Sequence, residues 1–257
     1  MNNPHMLNVG FFLFVALLFP LPDLWLYPRL QRATAAGVPG ARTRYYLLGA
    51  ATLWLLAGCA VALAIRSHVA WNDLRLGIPT PLRFAAGAAV VIAYVIFAMR
   101  QRHRLLAKPE RLRRVIKQHD TETALMPHTR SEARSFRVLA VTAGVCEEVV
   151  YRGFMIWCAT LWLGLWPAVI VSSLVFGVGH LYLGRKHVLR TSIVGLFLAL
   201  LAVASASLWP GIVLHAFIDL YGGDIGFRSL EAFEQVRDER LRETIGNGAD
   251  GAALLVE

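Results

Sequence analysis

Glu147 and Glu148 sit side by side in the apolar run Cys146-Glu147-Glu148-Val149-Val150-Tyr151-Arg152. Two later apolar runs each add a histidine: Phe176-Gly177-Val178-Gly179-His180 and His215-Ala216-Phe217-Ile218-Asp219. An ionisable group inside a bilayer is costly, so its presence there points to a functional site. On a helix, residues four apart share a face, whereas adjacent residues point about 100° apart. Glu148 and Arg152 are therefore predicted to pair, acid first, each offsetting the cost of burying the other. Glu147 is left on another face, toward the bundle interior. Such a carboxylate, holding one water, is what a hydrolytic general base requires. His180 lies one turn beyond Phe176, and Gly177 and Gly179 would let a neighbouring helix approach closely and bring the imidazole to Glu147. His215 and Asp219 are also one turn apart, and a carboxylate beside a histidine fixes its tautomer. Pro210-Gly211 would begin or bend that helix just before the site.

Each element alone has a plainer reading. A single intramembrane histidine is commonly a packing residue, an intramembrane Glu–Arg pair can be structural, and a buried Cys146 behaves as a small apolar side chain. His5, His68, His103, His119, His128 and His187 lie in termini or loops and carry no signal. An acid pair followed by two histidines, on three separate helices, is what indicates an active site. Glu147, His180 and His215 could instead supply three ligands to a zinc ion with an open water position, with Asp219 behind them. The chain has no H-E-x-x-H motif, and Arg152 already accounts for Glu148, so chemistry without metal or cofactor is favoured. A proton-coupled transporter would use the same residues as a relay, although no paired inverted repeats are visible. A catalytically inactive membrane scaffold is the third reading.

The elements that must carry these residues are membrane helices. The chain is 56% apolar and 17% charged, with a mean hydropathy of +0.52, whereas soluble domains are about 25% charged. Apolar segments near 7–27, 45–65, 83–99, 138–162, 166–183, 188–206 and 208–224 predict an all-α, polytopic bundle of about seven spans. The divisions expected are helices 1–3 over 1–100, a basic interfacial loop over 101–134, a catalytic core over 135–225 and a cytoplasmic tail over 226–257. The N-terminus lacks the positive stretch and cleavage site of a secretory signal and reads as a retained first helix. Of the 26 Lys and Arg, all but Arg66, Arg75, Arg83 and the intramembrane Arg152 fall on one side of such a bundle. That asymmetry places the C-terminus in the cytoplasm and the N-terminus outside. It also turns the pI near 10 toward anionic lipid headgroups rather than nucleic acid. Arg102–Lys117 interleaves Leu105, Leu106, Leu112, Val115 and Ile116 with basic residues, as an interfacial helix would. Residues 226–245 predict a short amphipathic cytoplasmic helix striped by Phe227, Leu230, Phe233 and Val236, and Asn247–Gly251 a frayed end. Cys59, Cys146 and Cys158 form no metal-type pair.

At the three motifs the chain resembles the CPBP family, the CAAX-protease and bacteriocin-processing (Abi) group of intramembrane endopeptidases. The family pattern is E-E-x-x-x-R, then F-x-x-x-H, then H-x-x-x-N or H-x-x-x-D, on separate helices. Glu147-Glu148…Arg152, Phe176…His180 and His215…Asp219 supply it in order, and the resemblance covers about residues 135–225. It implies a peptidase in which Glu147 activates water with the help of His180, while His215 and Asp219 stabilise the oxyanion. An ionised aspartate cannot donate a hydrogen bond, so Asp219 would have to be protonated or act through His215. The expected substrate is a protein or peptide at the membrane.

Overall fold

The computed structural model describes residues 5–77, 80–107 and 124–253, with side chains between 6 and 235, and all its regular elements are helical. Helix α1 (His5–Leu13) passes through a π-helical turn, Phe14–Leu18. Pro20 and Pro22 lack the N–H that would continue the ladder, and the chain turns there before α2 (Asp23–Ala35). Gly40, at φ 70°, supplies the left-handed residue that starts α3 (Ala41–Arg66), and α4 spans Pro81–Leu106 with its proline in the first turn, where the missing N–H costs nothing. Helix α5 (Arg130–Glu147) opens with a capping box: Thr129 accepts from the Glu132 N–H while the Glu132 carboxylate accepts from the Thr129 N–H. It continues through a π-helical segment, Glu148–Met155, into α6 (Ile156–Leu163). Helix α7 (Leu165–Val178) ends in a short 3-10 turn, Leu181–Leu183, followed by α8 (Arg185–Ser205) and α9 (Trp209–Ala253).

Four stretches, Met6–Ala35, Ala41–Arg66, Pro81–Leu106 and Arg185–Ser205, are long and apolar enough to cross a membrane, and Leu165–Val178 is a shorter apolar helix. The other two expected spans are long helices whose apolar sequence is interrupted by Glu147, Glu148 and Arg152 in one and by Asp219 and Asp224 in the other. The protein is a polytopic helical membrane bundle.

One expectation is corrected. Helix α9 does not stop near residue 225 to be followed by a separate amphipathic helix, nor does it fray at Asn247–Gly251; it runs unbroken for 45 residues. Two of its glycines serve packing. Gly223 lies against the Phe136 ring, and a Cβ on Gly226 would come within 2.8 Å of Met126 Sδ. Leu230 is buried on this continuous helix whereas Phe233 is exposed. The predicted interfacial helix over Arg102–Lys117 falls mostly outside the described residues, as does the Val236 side chain.

Hydrogen bonds gather the helix ends into two sets. Arg42 donates to Ala124 O, Tyr46 to Leu125 O, and Arg102 to the Asp224 carboxylate. These contacts put the start of α3, the entry to α5, the end of α4 and the middle of α9 at one end. At the other end Arg83 donates to Val203 O and Ala204 O, and the Leu208 N–H donates to Arg75 O. Arg66, Arg75 and Arg83 share that second end, in keeping with the uneven basic residues of the sequence.

Candidate active site inside the bundle

The acid pair stands where α5 passes into the π-helical segment. There the N–H groups reach back one residue further than in an α-helix, a departure frequent at functional sites. Seven of its eight residues are buried, Glu148 and Arg152 among them. As predicted, the two pair, with Arg152 Nη1 2.8 Å from Glu148 Oε1. The approach is an ion pair rather than an aligned hydrogen bond, since Nη1 has no hydrogen-bond partner. The other end of the guanidinium, Nη2, donates to Gly195 O at 3.2 Å, and its Cζ lies over the Phe176 ring, 4.1 Å from the centroid. Such a cation–π contact adds attraction where water is absent.

His215 is the centre of the cluster. Its Nδ1 lies 2.9 Å from Glu148 Oε1, and its Nε2 faces Glu147 Oε2 at 3.5 Å and Asp219 Oδ2 at 3.8 Å. Glu148 therefore does more than neutralise Arg152: accepting from Nδ1–H, it fixes the tautomer, a task the i,i+4 spacing had suggested for Asp219. Glu147 is held apart from Arg152, and its side chain is 15% exposed against 0% for Glu148. Asp219, at 34%, is the most open of the three carboxylates.

His180 is brought into the same cluster, but by a different route from the one expected. Its Nδ1 lies 3.0 Å from Phe176 O, and a carbonyl only accepts, so Nδ1 carries the proton and Nε2 presents a lone pair. Phe176 joins the two imidazoles, with ring centroids 5.1 Å from His180 and 5.8 Å from His215. On its far side His180 stacks on Tyr182. Cys146 is fully buried and Cys158 nearly so, both as free thiols. Among the described residues no group of three or more His, Cys, Asp or Glu side chains is arranged to hold a metal ion.

Glycines set the approach of these helices, and they left only a faint trace in the sequence as glycines inside helical runs. A Cβ on Gly144 would lie 2.7 Å from both the backbone N and the Cβ of Ala216, the residue after His215. A Cβ on Gly195 would meet Phe176 at 2.9 Å, and one on Gly211 would meet Glu148 Oε2 at 3.0 Å. Because the obstacle at Gly144 is backbone, Gly144→Ala should force α9 away from α5 and separate His215 from both glutamates. We expect a loss of activity of about 100-fold, the scale of an ångström's misplacement, with about 1–3 kcal/mol of destabilisation from overpacking. Activity and thermal unfolding of the purified variant in detergent check this; wild-type values for both would refute the close contact.

A helical membrane bundle holding a buried cluster of carboxylates and imidazoles defines the class as an integral-membrane protein with an enzyme-like site. In sequence, residues 130–221 are similar to the family model of the type II CAAX prenyl endopeptidases, described as Rce1-like. The matched stretch contains every residue of the cluster. No curated protein and no solved structure matches the chain.

Proposed function

We propose that the protein is an intramembrane endopeptidase that hydrolyses a peptide bond of a membrane-associated protein or peptide by means of a glutamate-activated water. The observation that carries the reading is the asymmetry of the acid pair. Glu148 is neutralised by Arg152 and orients His215, while Glu147 faces the imidazole with some exposure and, among the described residues, pairs with no Arg or Lys.

Hydrogen-bonding capacities divide the remaining work. Glu147 takes a proton from water as general base. His180, with Nδ1–H committed to Phe176 O, offers Nε2 as a second acceptor that orients the same water. Attack on the carbonyl carbon forms a tetrahedral oxyanion, which needs donors aimed at it. His215 supplies one when protonated: Nδ1–H is held by Glu148, and Nε2–H is free to turn from Glu147 and Asp219 toward the oxyanion. Three carboxylates stand against Arg152 in this cluster, so a charged imidazole brings it closer to neutrality. Asp219 acts through His215 rather than as a donor. Collapse of the intermediate returns the proton from Glu147 to the leaving amine. The cycle runs without metal or cofactor; zinc held by Glu147, His180 and His215 would instead make cleavage sensitive to chelation.

The basic end of the bundle, with Arg42, Arg102 and Arg228, is assigned to the cytoplasm, where it contacts anionic headgroups. Residues 135–225 form the catalytic core, with 1–100 as supporting helices. The test is a comparison of peptide termini, by mass spectrometry, in membrane and secreted fractions of cells expressing wild type or Glu147→Gln at matched levels. Termini seen only with wild type name the substrate and the bond. Identical profiles from two folded proteins refute the proposal.

A further inference from the structure

We propose that Arg75 is a positioning residue for the site: it ties the π-helical segment that follows the glutamates to the start of the helix carrying His215. The inference rests on the endopeptidase reading for its consequence in activity, but its geometry stands alone. Arg75 lies in the connection between α3 and α4, outside the family match and distant in sequence from every motif residue. Its side chain donates from Nη1 to Arg152 O at 3.2 Å. Its own carbonyl accepts the Leu208 N–H at 2.9 Å, one residue before α9 begins. One residue thus holds the backbone of the Glu148–Met155 segment and the entry to the helix that places His215 seven residues further on.

Two further observations set this residue apart from an ordinary loop contact. Arg75 adopts φ 57°, a left-handed conformation uncommon outside glycine, and such strain persists only where the surroundings over-determine it. The preceding Leu74 is buried among residues of the main core, and its carbonyl would lie 3.4 Å from a Cβ on Gly153, in the middle of the π-helical segment. The connection is therefore seated against the segment, and Arg75 is its polar clasp. A π-helical turn accommodates an extra residue relative to the α-helical path. A donor on the Arg152 carbonyl fixes that carbonyl, and with it the direction in which Arg152 leaves the backbone to meet Glu148.

Backbone and side chain can be separated by experiment. Arg75→Gly relieves the left-handed backbone and removes only the clasp; Arg75→Asn, which also tolerates that conformation, replaces it if the glycine variant fails to accumulate. Arg75→Lys restores a donor. Two readouts are taken on the full-length protein: hydrogen–deuterium exchange of peptides covering 148–156 and 208–216, and the yield of Glu147-dependent peptide termini in cells. With melting temperature within a few degrees of wild type, we expect exchange in both peptides to rise several-fold. The yield of termini should fall about 10-fold or more, and Arg75→Lys should recover most of both. Wild-type exchange in either peptide overturns the clasp. Raised exchange with an unchanged yield overturns its role in positioning the site, as does failure of the lysine to rescue. If wild type and Glu147→Gln give the same termini, the endopeptidase reading has failed, and exchange alone still decides whether Arg75 joins the two helices.

Discussion

Glu147→Gln should reduce cleavage by about 100- to 10,000-fold, the range expected for loss of a general base, while leaving a folded protein. The substitution keeps the size and shape of the side chain and removes only its capacity to take a proton. Folding should tolerate it because Glu147 supports little else. Its contact is with His215 Nε2, at 3.5 Å rather than hydrogen-bonding distance, and the ion pair that neutralises buried charge belongs to its neighbour. Glu148→Gln is the informative control, since it disturbs Arg152 and the His215 tautomer together and should lower stability as well as rate. The measurement is the rate of release of the peptide termini that depend on Glu147, in membranes containing equal amounts of each protein. Retention of more than a tenth of wild-type rate by Glu147→Gln would remove Glu147 from the role of base.

Arg152→Ala should produce the largest loss of stability, about 3–5 kcal/mol, because it removes the guanidinium from a buried Glu148 and leaves that charge only the His215 Nδ1–H. Both side chains are essentially sealed, at 1% and 0% exposure, so water cannot replace the partner. The substitution also removes the donor to Gly195 O and the cation against the Phe176 ring. The pair itself need not be net stabilising, since desolvation consumes much of its attraction. It follows that Arg152→Met combined with Glu148→Gln should recover much of the stability lost by Arg152→Ala without recovering activity, as His215 would then lack its charged acceptor. Thermal unfolding in detergent checks both statements. A melting temperature for Arg152→Ala equal to wild type would contradict the sealed ion pair.

The sequence made some of this legible and concealed the rest for physical reasons. The Glu148–Arg152 pair followed from helical spacing alone, because one turn in a π-helical segment still leaves residues four apart close together. The segment itself was invisible, since nothing in Glu148–Met155 distinguishes it from an apolar α-helix. Spacing also suggested that Asp219 holds His215, because that pair lies on one helix. The stronger contact, Glu148 to His215 Nδ1, joins residues 67 apart, and no local rule reaches across that distance. Spacing suggested that His180 reaches Glu147; the structure sets it against Phe176, whose carbonyl fixes the Nδ1 proton and whose ring lies between the two imidazoles. The apolar run of α9 ends near residue 224 in the sequence, but the helix continues past it, with Gly223 against Phe136 and Gly226 against Met126. Arg75 carried no signal, because its partners, Arg152 O and the Leu208 N–H, are main-chain groups far away in sequence that no local spacing rule reaches.

The enclosure of Arg152 has a consequence for recognition. One end of its guanidinium is given to Glu148, the other to a main-chain oxygen, and its face is covered by Phe176. Among the described residues, a substrate of the proposed peptidase would therefore find no unengaged guanidinium at the cluster with which to anchor an acidic side chain or a terminal carboxylate. What it finds is the open edge of two carboxylates, Glu147 and Asp219, and two imidazoles. Affinity for the chain must then come from its backbone and apolar surface, and selectivity between substrates from groups that lie away from the bond being broken.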